Sequence, residues 1–296
     1  MALNEKLVEI SQDDIPKLMN VLKELLPDTV APYHWILTHQ KWQKKIPHLK
    51  VKILCLNGDW DEQTVVCLAD GLAASNKIYG AMYAPEEKID RLKAALMHTD
   101  LIEWDRLKQF SACLKRIVPI MAEVFKCKGF KHADDFIYSG YQYYMSVQDA
   151  ANIDLGTLPE NVHVGPLDVS NLQIVCDLWQ HFDPEYQPVA KKMLELNPSV
   201  GVFVKNDKGE EDLASMVLMT EYGGVGLLQT APEHRRKGYA EIALAHLTRQ
   251  LGQMGYMPSS NVTQYNEASH SLFKKMGYKV VDAAFWVLAF KLPEKE

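Results

Sequence analysis

The sequence predicts an α+β fold made of one layered α/β/α unit used twice. Three observations predict it. Strand-like and helix-like stretches alternate along all 296 residues;. The order of those stretches starts again after residue 161. Three pairs of short segments also match at a nearly constant spacing;. Asn57 and Asn206 each open a polar turn, 149 residues apart. Ala84-Pro85-Glu86 matches Ala231-Pro232-Glu233 at 147, and Phe125 to Phe130 matches Phe273 to Tyr278 at 148.

In the first half, Leu7–Ile10 reads as a strand, and Ser11 as the cap of a helix with Leu18, Val21, Leu22 and Leu25 on one face, closed by Pro27;. Lys52–Leu56 and Thr64–Leu68 read as paired strands across Asn57–Gln63, and Lys77–Tyr83 as a third. Helical spacing covers Glu86–Met97 and much of Leu107–Phe125, and Phe136–Val147 alternates as a long strand;. Gln148–Asn161, with Gly156 and Pro159, reads as the linker, which predicts domains over residues 1–150 and 151–296;.

The second half repeats the order. Val162–Leu167 is strand-like, and Ser170 precedes a helix with Leu172, Val175, Leu178 and Trp179 on one side. Gly201–Lys205 and Leu213–Thr220 flank the turn Asn206–Asp212. Val225–Thr230 is a strand before a helix faced by Ala240, Ala243, Leu244, Leu247 and Leu251. Met257–Thr263, a helix over Glu267–Met276 and a last strand over Phe285–Lys291 complete it.

Composition narrows the function classes. Apolar residues make up 47% and charged residues 24%, which is ordinary for a chain with buried cores;. A net charge of −6 argues against a nucleic-acid surface, because phosphate neutralisation needs clustered cations;. No apolar run reaches bilayer length;. The N-terminus has no signal-like apolar segment and no Arg-rich transit character, which predicts an intracellular chain, cytoplasmic rather than mitochondrial;. Cys55, Cys67, Cys113, Cys127 and Cys176 are scattered without paired spacing, so reduced thiols and no metal are expected;.

The strongest chemical signal is Val225 to Ala240, a strand that runs through a cationic, glycine-containing turn into a helix. The first amides of a helix have no internal acceptor, and its dipole favours an anion there. Gly238 and Ala240 lack bulk, and Arg235, Arg236 and Lys237 add counter-charge;. The segment is neither a Walker A loop nor, at Gly223-Gly224-Val225-Gly226, a dinucleotide fingerprint, since a strand follows those glycines;. A solvated basic turn is the plainer alternative. Downstream, Asn266 caps the helix that ends at Met276 before Gly277;. Leu272 and Met276 read as core, whereas Phe273 fits either packing or a ligand site.

Arg235-x-x-Gly238-x-Ala240 after a strand resembles the acyl-CoA signature of the GCN5-related N-acetyltransferase superfamily. Asn266, Phe273 and Gly277-Tyr278 fall where that superfamily has its second motif. More narrowly, Leu178 to Phe182, Thr230 to Arg235 and Asn261 to Ala268 resemble the glycine N-acyltransferase-like and FR47-like proteins, over about Val162–Leu292. The resemblance implies a tandem fold with a degenerate N-terminal copy, since no Arg-x-x-Gly-x-Ala follows Pro85-Glu86. It implies transfer of an acyl group from acetyl-CoA or a longer acyl-CoA to a small amine or amino acid.

By that resemblance, Leu228, Gln229 and Thr230 would line the pantetheine, and Arg235, Arg236, Lys237, Gly238, Tyr239 and Ala240 would hold the pyrophosphate. Asn266 and Phe273 would flank the thiol. Phe273 stands where a proton-donating Tyr is common, which leaves Tyr265 as the substitute. Gly224 stands where a Glu base is expected, which leaves Glu221, a solvated turn residue in the plainer reading, with His181 and His234 behind it. Two alternatives stay open: an acyl-CoA-binding protein with little turnover, and a protein or peptide N-acetyltransferase.

Overall fold

A computed structural model describes residues 5–73, 76–130, 137–179, 182–205 and 209–289. The chain divides into two compact units. The first is Met1–Gln142 with Asn261–Tyr265 and Val281–Glu296, and the second is Tyr143–Ser260 with Asn266–Val280.

The first half runs β1 (Leu7–Glu9), α1 (Ile15–Glu24), α2 (Val30–Gln43), β2 (Lys50–Leu56), β3 (Val65–Asp70) and β4 (Ile78–Tyr83). It continues with α3 (Ile89–His98), β5 (Leu107–Leu114), α4 (Val118–Cys127) and β6 (Ile137–Tyr144). After a short helix, α5 (Val147–Ala151), the same series returns. It comprises β7 (Val162–Gly165), α6 (Leu172–Leu178), α7 (Gln187–Leu196), β8 (Ser199–Lys205), β9 (Glu211–Met219) and β10 (Val225–Thr230). Then come α8 (Tyr239–Gln253), β11 (Ser259–Thr263), α9 (Glu267–Lys275) and β12 (Lys279–Leu288).

One sheet has the order β1-β2-β3-β4-β5-β12-β6-β11 and the other β10-β9-β8-β7. The β4–β5 pair is parallel, and β12 joins β5 antiparallel. The duplication extends to local detail. Gly129 at φ 82° and Gly277 at φ 85° end α4 and α9. In both, the next residue's N–H reaches back five residues, Phe130 to the Phe125 carbonyl at 2.9 Å and Tyr278 to the Phe273 carbonyl at 3.0 Å;. Of the three matched pairs, the one containing Asn206 lies outside the described residues.

Several local expectations are corrected. Leu107–Leu114 is a strand, so only the later part of the Leu107–Phe125 stretch is helical. Leu107 and Phe110–Leu114 are buried, and a strand covered on both faces loses the alternation that would betray it;. Ser11 does not cap α1, which starts at Ile15 after Asp14; its hydroxyl donates to the Asp14 carboxylate at 2.7 Å. The last strand begins at Lys279, six residues before Phe285.

The linker stretch starts as α5, capped by the Ser146 hydroxyl, which accepts from the Asp149 N–H at 3.1 Å. This helix packs on α8 at Gly252, where a Cβ would lie 2.3 Å from the Ala151 nitrogen and 2.7 Å from the Ala150 carbonyl carbon. Both obstacles are backbone, so relief requires α5 to move. Gly252→Ala is therefore expected to cost about 2 kcal/mol through overpacking, despite a helix-propensity gain of about 1. Urea unfolding measures this, and an unchanged or higher midpoint would contradict the contact.

In the first unit, Leu54, Val66, Leu92, Leu96, Phe110, Met121 and Phe125 belong to one buried cluster. In the second, Val189, Met193, Val202, Met216, Leu218, Ala243, Leu247 and Leu251 are buried. Cys55, Cys67, Cys113 and Cys176 are buried free thiols and Cys127 is exposed. No helix among the described residues is long and apolar enough to cross a membrane.

Candidate functional site

The candidate site forms where β10 leaves its sheet. Among the described residues β10 is an edge strand, paired with β9. Its pairing shifts between Gly226, opposite Leu218, and Gln229, opposite Met216. Leu227 and Leu228 therefore share one partner position, a β-bulge, with Leu227 at φ 53°;. A bulge leaves backbone groups outside the ladder, so β10 offers polar groups at this point. Below it, the Ser215 hydroxyl bonds the Gln229 carbonyl at 2.9 Å and the Thr230 hydroxyl at 3.0 Å.

After Thr230 a short turn, Pro232–His234, leads into Arg235–Gly238 and then α8. Arg236 (φ 63°) and Gly238 (φ 85°) are left-handed, which wraps the loop back over the start of the helix. Gly238 is the N-cap and so supplies no side-chain cap to the first amides of this 15-residue helix;. Arg235, Arg236 and Lys237 are exposed, and the Arg235 Nε donates to the Thr230 carbonyl at 3.3 Å. Glu241, the acidic residue of the first turn, is paired with Lys275 at 2.5 Å.

An open cavity of about 200 Å³ lies against this loop, lined by Thr230, His234, Arg235, Arg236, Gly238, Tyr239, Ala240, Glu241 and Leu272. It is smaller than pockets that enclose a whole drug-sized ligand and suits the charged end of one. A Cβ on Gly238 would meet nothing within 4 Å, so glycine is required here by φ and not by crowding;. The first half shows the contrast. There the turn Glu86–Lys88 runs directly into α3, and Arg91 stands 147 residues before Gly238. Arg91 is held by Glu5 at 2.7 Å and Glu62 at 2.8 Å, and Lys88 also bonds Glu62.

The structure gathers Thr230, Arg235, Arg236, Gly238, Tyr239 and Ala240 around this cavity; Leu228, Gln229 and Lys237 are neighbours along the chain that do not line it. Asn266 is exposed and its side-chain Oδ1 caps α9, accepting from the Ser269 N–H at 3.1 Å. Phe273 is 2% exposed, packed against Tyr143 at 5.5 Å and Tyr278 at 4.9 Å between ring centroids. Leu272, which reads as core in the sequence, is the α9 residue that meets the cavity. Tyr265 is 85% exposed. His234 is buried, its Nδ1 without a hydrogen-bond partner among the described residues, and His181 lies outside them. Among the described residues, no group of three or more His, Cys, Asp or Glu side chains could hold a metal ion.

Glu221 is 1% exposed, which overturns its reading as a solvated turn residue. It sits in the tight β9–β10 turn, closed by the Thr220 N–H to the Gly224 carbonyl at 2.7 Å. Gly224 is crowded, since a Cβ there would lie 2.4 Å from the Tyr222 ring. The Tyr186 hydroxyl donates to the Glu221 carboxylate, and the Tyr186 ring meets Trp179 edge-on at 5.4 Å. Tyr186 carries no mark in the sequence beyond the Asp183-Pro184 that starts its turn.

Residues 199–287 match the family model described as FR47-like protein. A comparison with curated proteins gives no match. Among solved structures, a Drosophila protein of structural-genomics origin aligns with a TM-score of 0.81 at 17% identity, covering 97% of this chain and 99% of that one. A tandem GNAT protein from the clavulanic acid biosynthesis pathway aligns with a TM-score of 0.53 at 12% identity, covering 96% and 97%. A putative acetyltransferase from Pyrococcus horikoshii aligns with a TM-score of 0.51 at 13% identity, covering 98% and 91%. Residues 199–287 thus match FR47-like protein, and the chain as a whole has the tandem fold of GCN5-related N-acetyltransferase (GNAT) proteins.

Proposed function

We propose that this protein is an acyl-CoA-dependent N-acyltransferase that moves an acyl group, acetyl or longer, to the amine of a small molecule or amino acid, as in glycine conjugation. The observation that carries the reading is the cationic loop Arg235–Gly238 wrapped over the glycine-capped start of α8 beside an open cavity. Free amides, the helix dipole and two arginines together favour a diphosphate.

In this reading residues 151–296 form the acyl-CoA domain and residues 1–150 the degenerate copy. Arg235, Arg236, Lys237, Gly238, Tyr239 and Ala240 hold the pyrophosphate, and Leu228, Gln229 and Thr230 accompany the pantetheine, with Asn266 and Phe273 toward the thiol. A backbone N–H freed by the bulge at Leu228 stabilises the tetrahedral oxyanion. Glu221 takes a proton from the incoming ammonium, and Tyr265 is the candidate donor to the departing thiolate.

Purified protein given acetyl-, benzoyl- and longer acyl-CoAs with an amine panel is expected to release thiol above background. No release with any pair would favour the inert acyl-CoA-binding alternative. Glu221→Gln is expected to lower kcat on the order of 100-fold while acetyl-CoA affinity stays within about twofold. Equal loss of both would remove Glu221 from the proton-transfer role.

A further inference from the structure

We propose that Tyr186 is the positioning residue for Glu221, holding that carboxylate ionised and aimed so that it can accept a proton from the acceptor amine. The inference rests on the acyltransferase reading above. A carboxylate taken out of water is costly to keep charged unless strong donors face it. Glu221 is 1% exposed, and the Tyr186 hydroxyl donates to its Oε2. A hydroxyl-to-carboxylate bond is among the strong, short types, and it stabilises the charged form selectively.

Both partners are fixed from outside. On the Glu221 side, Asn197 Nδ2 donates to the Met219 carbonyl at 3.0 Å and the Thr220 carbonyl at 2.9 Å, which anchors the end of β9. On the other side, Tyr186 ends the short turn Pro184–Tyr186, opened by Asp183, whose carboxylate accepts from the Glu185 N–H at 2.9 Å. Its ring is braced by Trp179. Tyr222, adjacent to Glu221 and buried, is the other titratable group of that turn. The hydroxyl therefore has a defined direction and the carboxylate a defined position.

In the step served, an N–H bond of the acceptor's ammonium breaks and its electron pair stays on nitrogen. The proton moves to a Glu221 oxygen, while Tyr186 keeps its own proton throughout. Loss of the hydroxyl removes one stabiliser of the ionised form, so the carboxyl would hold its proton to higher pH.

Carboxyl-¹³C-labelled glutamate reports the titration of Glu221 directly, assigned by the signal lost in Glu221→Gln. In Tyr186→Phe, which keeps the ring against Trp179, the midpoint is expected to rise by about one pH unit. The acid limb of kcat/KM for an amine acceptor is expected to move with it, while KM for acetyl-CoA is unchanged. A midpoint that stays put in a folded Tyr186→Phe protein overturns the proposal. Trp179→Phe perturbs the packing but keeps the hydroxyl; an equal shift there assigns the effect to packing and overturns it too. Failure of the acyltransferase reading looks different: wild-type protein with no thiol release and no acetyl-CoA binding, yet with the Tyr186-dependent carboxyl titration intact.

Discussion

Gly238→Glu is expected to weaken acetyl-CoA binding on the order of 100-fold, about 3 kcal/mol, while leaving the protein folded. Two effects add. A side chain at φ 85° costs about 1–2 kcal/mol in a backbone conformation that suits glycine;. A carboxylate at the head of α8 would also repel a diphosphate from the cavity lined by Arg235 and Arg236;. Because a Cβ at Gly238 meets nothing within 4 Å, the change strains one residue and clashes with none. Titration calorimetry with acetyl-CoA, paired with a melting curve, separates binding from folding. Gly238→Ala carries the strain without the charge and should lose roughly tenfold or less. Undiminished affinity in Gly238→Glu would remove the loop from the binding site.

The second large effect is acid sensitivity of the first unit. Nine of the fourteen residues of α2 are buried, His34 and His39 among them. Burial pushes both imidazoles down to about 3 from an ordinary 6.5. His39 stacks on Trp35 at 3.7 Å, with its Nδ1 2.9 Å from the Trp35 carbonyl. Above pH 6.5 both histidines are neutral in the folded and the unfolded chain, and neither state is favoured by protons. Below 6.5 the unfolded chain binds protons that the folded chain refuses, so stability falls with pH until about 3. The expected loss is about 2 kcal/mol per histidine by pH 5. Urea midpoints between pH 7.5 and 4.5 measure it. A His34→Gln, His39→Gln double variant is expected to be less stable overall but to show a shallower pH slope. An unaltered slope would mean the histidines do not stay neutral.

Much of this was legible without coordinates because its causes are local. Much of the order of elements followed from periodicity and from Pro, Gly and Asn at their ends, although α2 and α7 escape that reading and β5 reads as helix. The duplication showed in Ala84-Pro85-Glu86 and Ala231-Pro232-Glu233, which begin the same turn in both halves. The cationic loop was visible because arginine, lysine and glycine stand in consecutive positions before a helix. What escaped depends on neighbours distant in sequence. Leu107–Leu114 lacks alternation because side chains on both of its faces are buried;. Glu221 looks like a solvated turn residue until Tyr186, 35 positions earlier, is brought to its carboxylate.

The sequence by itself determined the repeated unit, many of its strands and helices, and a glycine-containing cationic loop at the start of α8. Those features are written in spacing and residue type over a few turns of chain. Only the tertiary structure decided that α9 meets the cavity with Leu272 while Phe273 packs inward, and that Glu221 is buried against a tyrosine. Burial and partner choice depend on which distant segments pack together, and no local pattern encodes that.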